Sequence, residues 1–317
     1  MMTGQEILEF GRAILHDEAR ALDALADSLG GPFEGAVRLI LDCRGKLIVS
    51  GLGKSGHVGR KIAATFASTG TTATFLHLAE AIHGDLGMAS KGDAAILISQ
   101  SGETAELEPV IDHFRHVGIP VIAITGNRGS MLAEAAAAAL VLPHWPEVGP
   151  EAVAPTTSTT MTLALGDALA MTVMRQKGFT RSDFGRLHPG GALGARLKAV
   201  SRVMHSGEAV PLTRENTSMH DAIVEMSAKR LGIIGVVDQA GDLVGAITDG
   251  DLRRHIELGL DHSAAEFMTR EPKTIGADAL IDDALTLFEE NKITALFVVE
   301  GGKPVGVLHI HDCPPAR

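Results

Sequence analysis

The chain has 317 residues, 45% of them hydrophobic and 21% charged, a length and balance that suit two folded domains, each with its own core. Its formal net charge of −11 argues against nucleic acid or an anionic membrane surface as the main partner, while allowing a local cationic pocket for a phosphate. The two cysteines, Cys43 and Cys313, lie far apart and form neither a metal-ligand spacing nor a disulfide framework, which fits a reducing compartment.

Residues 5–29 place Ile7, Ile14, Leu15, Leu22, Leu25 and Leu29 at helical spacing, so an amphipathic helix opens the chain. Glu6, Glu9, Asp17 and Glu18 among them do not form the basic-then-apolar layout of a signal peptide. A turn at Gly30-Gly31-Pro32 precedes a second helix to about Cys43. Short apolar runs then alternate with helical patterns: Lys46–Ser50, Thr72–His77, Ala94–Ser99, Pro120–Thr125 and Ala139–Leu142. Several are apolar without alternation, as in strands buried on both faces, and their alternation with helices implies parallel βαβ units. Residues 156–177 read as a long helix that Gly178 stops. Asp167 and several threonines break its apolar run, and Ala135–Leu142 is too short for a bilayer, so no membrane span is expected and the protein reads as cytoplasmic.

After about residue 200 the texture changes. Asp221-Ala222-Ile223, Gly235-Val236-Val237 and Gly245-Ala246-Ile247-Thr248 are echoed by Asp283-Ala284-Leu285, Phe297-Val298-Val299 and Gly306-Val307-Leu308-His309. This internal repeat of about sixty residues marks a pseudo-symmetric pair. The expected domains are therefore residues 1–200 and 201–317, the second with repeats at about 203–259 and 267–317.

Three polar clusters carry the chemistry. Gly51-Leu52-Gly53-Lys54-Ser55-Gly56 lies where the first strand meets a helix, where glycines let the backbone approach a ligand and the helix N-terminus favours an anion. It fits the dinucleotide fingerprint letter for letter, but the next strand ends in His77 without the acidic residue that motif needs. A Walker A loop would need glycine where Ile48 stands. Ser99-Gln100-Ser101-Gly102-Glu103-Thr104 follows the third strand, and Pro155-Thr156-Thr157-Ser158-Thr159-Thr160 opens the long helix. Each alone reads as a helix cap. Together, at strand ends and helix starts, they point to one phosphorylated, hydroxyl-rich ligand.

These motifs, with His83–Met88 (HGDLGM), resemble the sugar isomerase (SIS) domain. His188-Pro189-Gly190-Gly191-Ala192-Leu193-Gly194 and the C-terminal pair, which resembles CBS domains, make the whole chain similar to the arabinose 5-phosphate isomerase family. The resemblance implies a parallel-sheet α/β sandwich followed by a tandem α+β CBS pair. It implies interconversion of D-ribulose 5-phosphate and D-arabinose 5-phosphate on the way to the eight-carbon sugar Kdo of Gram-negative outer membranes, in a homotetramer. It places catalytic roles on Lys54, Glu106, Glu147 and His188, and substrate or phosphate contacts on Ser55, Gly70, Thr71, His83, Ser99, Gln100, Ser101 and Thr104. It also places a zinc position on His77, although the isomerisation itself needs no cofactor.

Two departures stand out. The family's EACPLGLAP segment reads Glu147-Val148-Gly149-Pro150-Glu151-Ala152-Val153-Ala154-Pro155 here. In the first repeat, Gly245-x-x-Thr248-x-x-Asp251 keeps the ribose-binding pattern of nucleotide-holding CBS domains, which implies an adenine nucleotide on Thr248 and Asp251; in the second, His309 replaces the hydroxyl residue before Asp312. Alternative readings are an aminosugar-phosphate isomerase of the SIS class and a non-catalytic sugar-phosphate sensor.

Overall fold

A computed structural model describes residues 2–314 apart from 256 and 258; the last three residues of the expected second repeat, 315–317, lie outside the described residues. The chain divides into two compact units, residues 1–179 and 180–317. In the first, β1 (Leu47–Gly51), β2 (Ala73–His77), β3 (Ala94–Ile98), β4 (Val121–Thr125) and β5 (Ala138–Val141) form an all-parallel sheet in the order β2-β1-β3-β4-β5. Each strand falls within a residue or so of an apolar run read from the sequence.

Those runs are continuous because both faces of the sheet are covered. Leu47, Val49, Ile96, Ile98, Ile122 and Ile124 point into one core, which α1 (Gly4–Asp27), α2 (Gly31–Asp42), α3 (Gly53–Ser68) and α7 (Thr157–Gln176) complete. Ile48, Ala95, Leu97, Val121 and Ala123 point the other way, into a core closed by α4 (Leu78–Ala81), α5 (Leu107–Val117) and α6 (Met131–Ala135). Successive strand residues serve opposite cores because the side-chain period of a strand is two. After β2 the chain returns past β1 to form β3. Connections from β1 and β3 therefore diverge, which opens a crevice beyond their carboxyl ends, the usual ligand position in an open α/β sheet.

In the second unit, α8 (Arg181–Leu187) and α9 (Gly191–Arg196) come first. The segment 180–199 thus belongs to this unit, ahead of the boundary read near 200. Arg181 and Arg196 both pair with Asp282, the latter at 2.7 Å, and the Ile281 N–H donates to the Lys198 carbonyl at 2.9 Å. No hydrophobic pattern announces such ionic and backbone ties.

The repeats follow. The first contains β7 (Leu212–Arg214), α10 (Met219–Lys229), β8 (Ile233–Val237), β9 (Leu243–Thr248) and α11 (Asp249–Arg254); the second contains β11 (Thr274–Ile275), α13 (Ile281–Asn291), β12 (Ala295–Glu300) and β13 (Lys303–His309). Each sheet borrows a strand. β6 (His205–Ser206), ahead of the first repeat, pairs with β13, while β10 (Thr269–Arg270), after α12 (Ala264–Phe267), pairs with β9. Glycine permits each exchange: a Cβ at Gly245 would strike Met268, and one at Gly306 would strike Met204. The two repeats are therefore interlocked.

Candidate active site

The crevice beyond β1 and β3 holds a cavity of about 230 Å³ lined by Lys54, Ser55, Gln100, Glu147, Ser158 and Thr159, with Leu52, Ile98 and Ile124 among its apolar walls. All three polar clusters read from the sequence reach it. Lys54 and Ser55 lie in the first turn of α3, so they stand beside its unpaired backbone N–H groups and the positive end of its dipole. Tight packing enforces this placement: a Cβ on Gly56 would sit 2.8 Å from the Gly51 carbonyl oxygen.

The β3 loop is organised from within. The buried Ser99 hydroxyl accepts the Gly102 N–H at 3.1 Å and is bonded to the Thr104 hydroxyl at 2.8 Å, while the Ser101 hydroxyl accepts the Glu103 N–H at 3.3 Å. Gly102 has φ +70°, and a Cβ there would strike Ser130. Gln100 reaches the cavity; Ser99, Ser101 and Thr104 shape the loop that presents it.

Glu147 lies on the segment after β5 and turns back to the N-terminus of α7. Its Oε2 accepts the Thr156 N–H at 2.7 Å, the Thr156 hydroxyl at 3.2 Å and the Ser158 N–H at 3.2 Å. Burial pushes this carboxyl's pKa up, but the Ser158 side chain, the two backbone N–H groups and the Thr156 hydroxyl outweigh it and hold the pKa below the ordinary glutamate value. The group is thus an oriented carboxylate at neutral pH, in the same cavity as a lysine.

Other expected site residues lie elsewhere. Glu106 is half-buried at the N-cap of α5 and does not line the cavity. Gly70 and Thr71 precede β2, so they sit at the opposite edge of the sheet, where Lys177 Nζ donates to the Thr71 hydroxyl at 2.9 Å and, more weakly, to the Gly70 carbonyl at 3.4 Å. His83 is exposed between α4 and a short 3₁₀ turn at Asp85–Met88. In the second unit, His188 ends α8, stacked on Phe184 at 3.8 Å between ring centroids, with Nδ1 3.0 Å from the Phe184 carbonyl. His77 closes β2 at the carboxyl edge, its Nδ1 buried with no hydrogen-bond partner among the described residues. Zinc needs three or four protein donors. Among the described residues no three His, Cys, Asp or Glu side chains converge to hold a metal ion, so the zinc expected at His77 lacks a donor set.

Sequence reasoning missed Thr162, Val58 and the apolar walls. Thr162 is legible afterwards as the residue four places after Ser158 on the same face of α7, its hydroxyl donating to the Ser158 carbonyl at 2.8 Å.

The second unit carries a larger cavity, about 800 Å³, lined among others by Thr248, Asp251 and His309. Asp251 Oδ2 accepts the Thr248 N–H at 2.9 Å and its hydroxyl at 2.6 Å, and Oδ1 pairs with Arg254. Burial opposes ionisation, but the Thr248 and Arg254 contacts prevail and keep the Asp251 pKa low. At the equivalent position in the other repeat His309 presents an imidazole, and its backbone N–H donates to Asp312 Oδ2 at 3.0 Å.

The SIS domain family matches residues 40–172, and the CBS domain family matches residues 200–258 and 264–313. Fold, switch-point cavity and these matches define a sugar isomerase (SIS) domain followed by a CBS pair. Arabinose 5-phosphate isomerase KdsD of Pseudomonas aeruginosa is 47% identical over 300 residues, which cover 93% of this chain and 92% of the relative. KdsD of Salmonella typhi is 41% identical over 316 residues, 98% of this chain and 96% of the relative. A solved Escherichia coli CFT073 protein in complex with arabinose 5-phosphate is 39% identical, with a TM-score of 0.58, and covers 59% of this chain and 100% of its own. The chain belongs to the arabinose 5-phosphate isomerase family. Among the described residues no helix is long and apolar enough to cross a membrane.

Proposed function

We propose that the protein interconverts D-arabinose 5-phosphate and D-ribulose 5-phosphate in the cytoplasm, supplying Kdo synthesis. One observation carries the reading: a carboxylate, Glu147, and an ammonium, Lys54, share a cavity at the switch point, beside the N-terminus of α3. Arabinose 5-phosphate must first open its furanose ring, the task assigned to His188. Glu147 takes the C2 proton of the open aldose, and the electron pair moves into a cis-enediolate. Lys54 stabilises the charge developing on oxygen. The proton returns to C1 and the O2 proton passes to O1, leaving a C2 ketone; atoms and charge balance without a redox partner. Ser55, Gln100 and the α3 N-terminus are suited to the phosphate. His83 is read as a contact to a more distant part of the sugar phosphate and Glu106 as a support for the Ser99–Thr104 loop. Gly70 and Thr71, about a strand's length away at the amino edge of the sheet, are given no contact to a molecule seated between Lys54 and Glu147.

The test is incubation with arabinose 5-phosphate, ribulose 5-phosphate and hexosamine phosphates, without added metal, followed by NMR of the products. Interconversion of the two pentose phosphates is expected. Turnover of glucosamine 6-phosphate with none of arabinose 5-phosphate would overturn it.

Homotetramer assembly belongs to the same proposal. Ile7, Leu8, Phe10 and Leu15 are 44–67% exposed along α1, an apolar surface suited to a second copy of the chain. Light scattering that gives a monomer would refute it. The CBS cavity is read as an adenine-nucleotide site, with Thr248 and Asp251 facing the ribose hydroxyls. Calorimetric titration with AMP, repeated on Asp251→Ala, tests that reading.

A further inference from the structure

Helix α7 is capped in an unusual way. Thr156 stands at its N-cap, where a threonine hydroxyl ordinarily accepts an N–H of the first turn, but it makes no such bond. The hydroxyl reaches back instead to the segment that carries Glu147. It accepts the Val148 N–H at 3.0 Å and lies 3.2 Å from both Glu147 Oε2 and the Val148 carbonyl oxygen. The carboxylate does the capping, its Oε2 accepting the Thr156 and Ser158 N–H groups.

These bonds all converge on Oε2, and among the described residues none reaches Oε1. An oxygen that already accepts three donors is the weaker base of the two, so Oε1 is the atom that takes a proton. The Thr156 hydroxyl has one hydrogen and two acceptors for it at equal distance. An ionised carboxylate is the stronger acceptor. Once Oε1 holds a proton, the hydrogen can turn to the Val148 carbonyl, so the hydroxyl is stranded in neither state. Thr156 is half-buried and does not line the cavity, so it acts through Glu147 and not on the substrate.

We infer that Thr156 is a positioning residue for the isomerisation: its hydroxyl clamps Glu147 through Oε2 and the Val148 backbone, leaving Oε1 to take the C2 proton. The inference rests on the reading of Glu147 as the base. Thr156→Val keeps the side-chain volume and the backbone N–H and removes the hydroxyl. For arabinose 5-phosphate, kcat should fall roughly tenfold while KM stays within about twofold, because the base is misoriented and the phosphate contacts are untouched. Burial pushes the Glu147 pKa up and the Ser158 and Thr156 contacts hold it down. Loss of the hydroxyl should therefore move the acid limb of the kcat/KM profile up by about one pH unit. Lys54 is the other titratable side chain lining the cavity among the described residues, and its charge is common to both proteins. Thr156→Ser should restore kcat and the limb, and Thr156→Ala takes the place of the valine variant should that not fold. Glu147→Gln is run alongside, by exchange of the C2 proton with D₂O. Normal exchange in Glu147→Gln overturns the base reading and this inference with it. Exchange lost in Glu147→Gln, with kcat and the acid limb unchanged in Thr156→Val, overturns this inference alone. A fall in kcat that Thr156→Ser does not restore, or that comes without a shift of the limb, reduces Thr156 to a structural cap and overturns it as well.

Discussion

Glu147→Gln separates the chemical role of this residue from its structural one. The amide oxygen can still accept from Thr156 and Ser158, so what is lost is the charge. A hydrogen bond to a charged group contributes about 1 kcal/mol more than a neutral one, and a carboxylate at a helix N-terminus adds roughly 0.3–1 kcal/mol. The variant should therefore lose roughly 1–2 kcal/mol, which lowers the melting temperature of a unit this size by roughly 2–8 °C. It remains folded at 25 °C, where domains hold about 5–15 kcal/mol. Loss of the base is a larger effect: turnover should fall roughly 10²–10⁴-fold, about 3–5 kcal/mol of barrier. Binding of arabinose 5-phosphate should persist, because Lys54, Ser55 and Gln100 are untouched. The assay is exchange of the C2 proton with D₂O, run beside direct binding on the folded variant. Normal exchange in Glu147→Gln would refute the assignment. The pKa direction adds a check. A carboxyl whose folded pKa lies below its unfolded value stabilises the fold above the unfolded value, about 4.3, and loses that contribution as pH falls through the folded one. The gap in melting temperature between wild type and Glu147→Gln should thus close in acid; a constant gap would show that the charge is not the cause.

Glu106→Gln should weaken binding or change both kinetic constants while leaving proton exchange measurable, because Glu106 begins α5 outside the cavity; abolished exchange would exchange the roles of the two glutamates. The chain ended at residue 200 should fold, checked by circular dichroism, since both core layers of the sheet lie within residues 1–179; a coupled assay should show reduced but measurable turnover, because residues 180–199, His188 among them, lose their ties to Asp282 and Ile281. Asp93→Ala should cost roughly 3 kcal/mol or more, read by urea unfolding, because the Asp93 side chain, 1% exposed, accepts from Lys46 Nζ at 2.7 Å, the Lys46 N–H at 2.9 Å and the Ser90 N–H at 3.0 Å. Burial opposes ionisation of Asp93, but the Lys46 and Ser90 contacts hold its pKa low, so its contribution is present above about pH 4 and should disappear as pH falls further.

The sequence by itself determined the layers. Strands buried on both faces must be apolar at every position, so Leu47–Gly51 and Ala94–Ile98 were visible as uninterrupted runs, and the glycines and hydroxyls at their ends marked where a phosphate could be approached. The repeat after residue 200 was equally plain, because each copy must supply the same alternating core. Tertiary structure decided what no local pattern encodes. The parallel direction of β2 separates Gly70 and Thr71 from Lys54, although the three lie close together in sequence. Glu147 meets α7 across a stretch of irregular chain, held by the hydrogen bonds that helix N-terminus leaves open. The exchange of β6 and β10 between the repeat sheets follows from pairing partners far along the chain. Periodicity reports which face of an element is buried; it is blind to which distant backbone satisfies its hydrogen bonds, and those bonds placed the site.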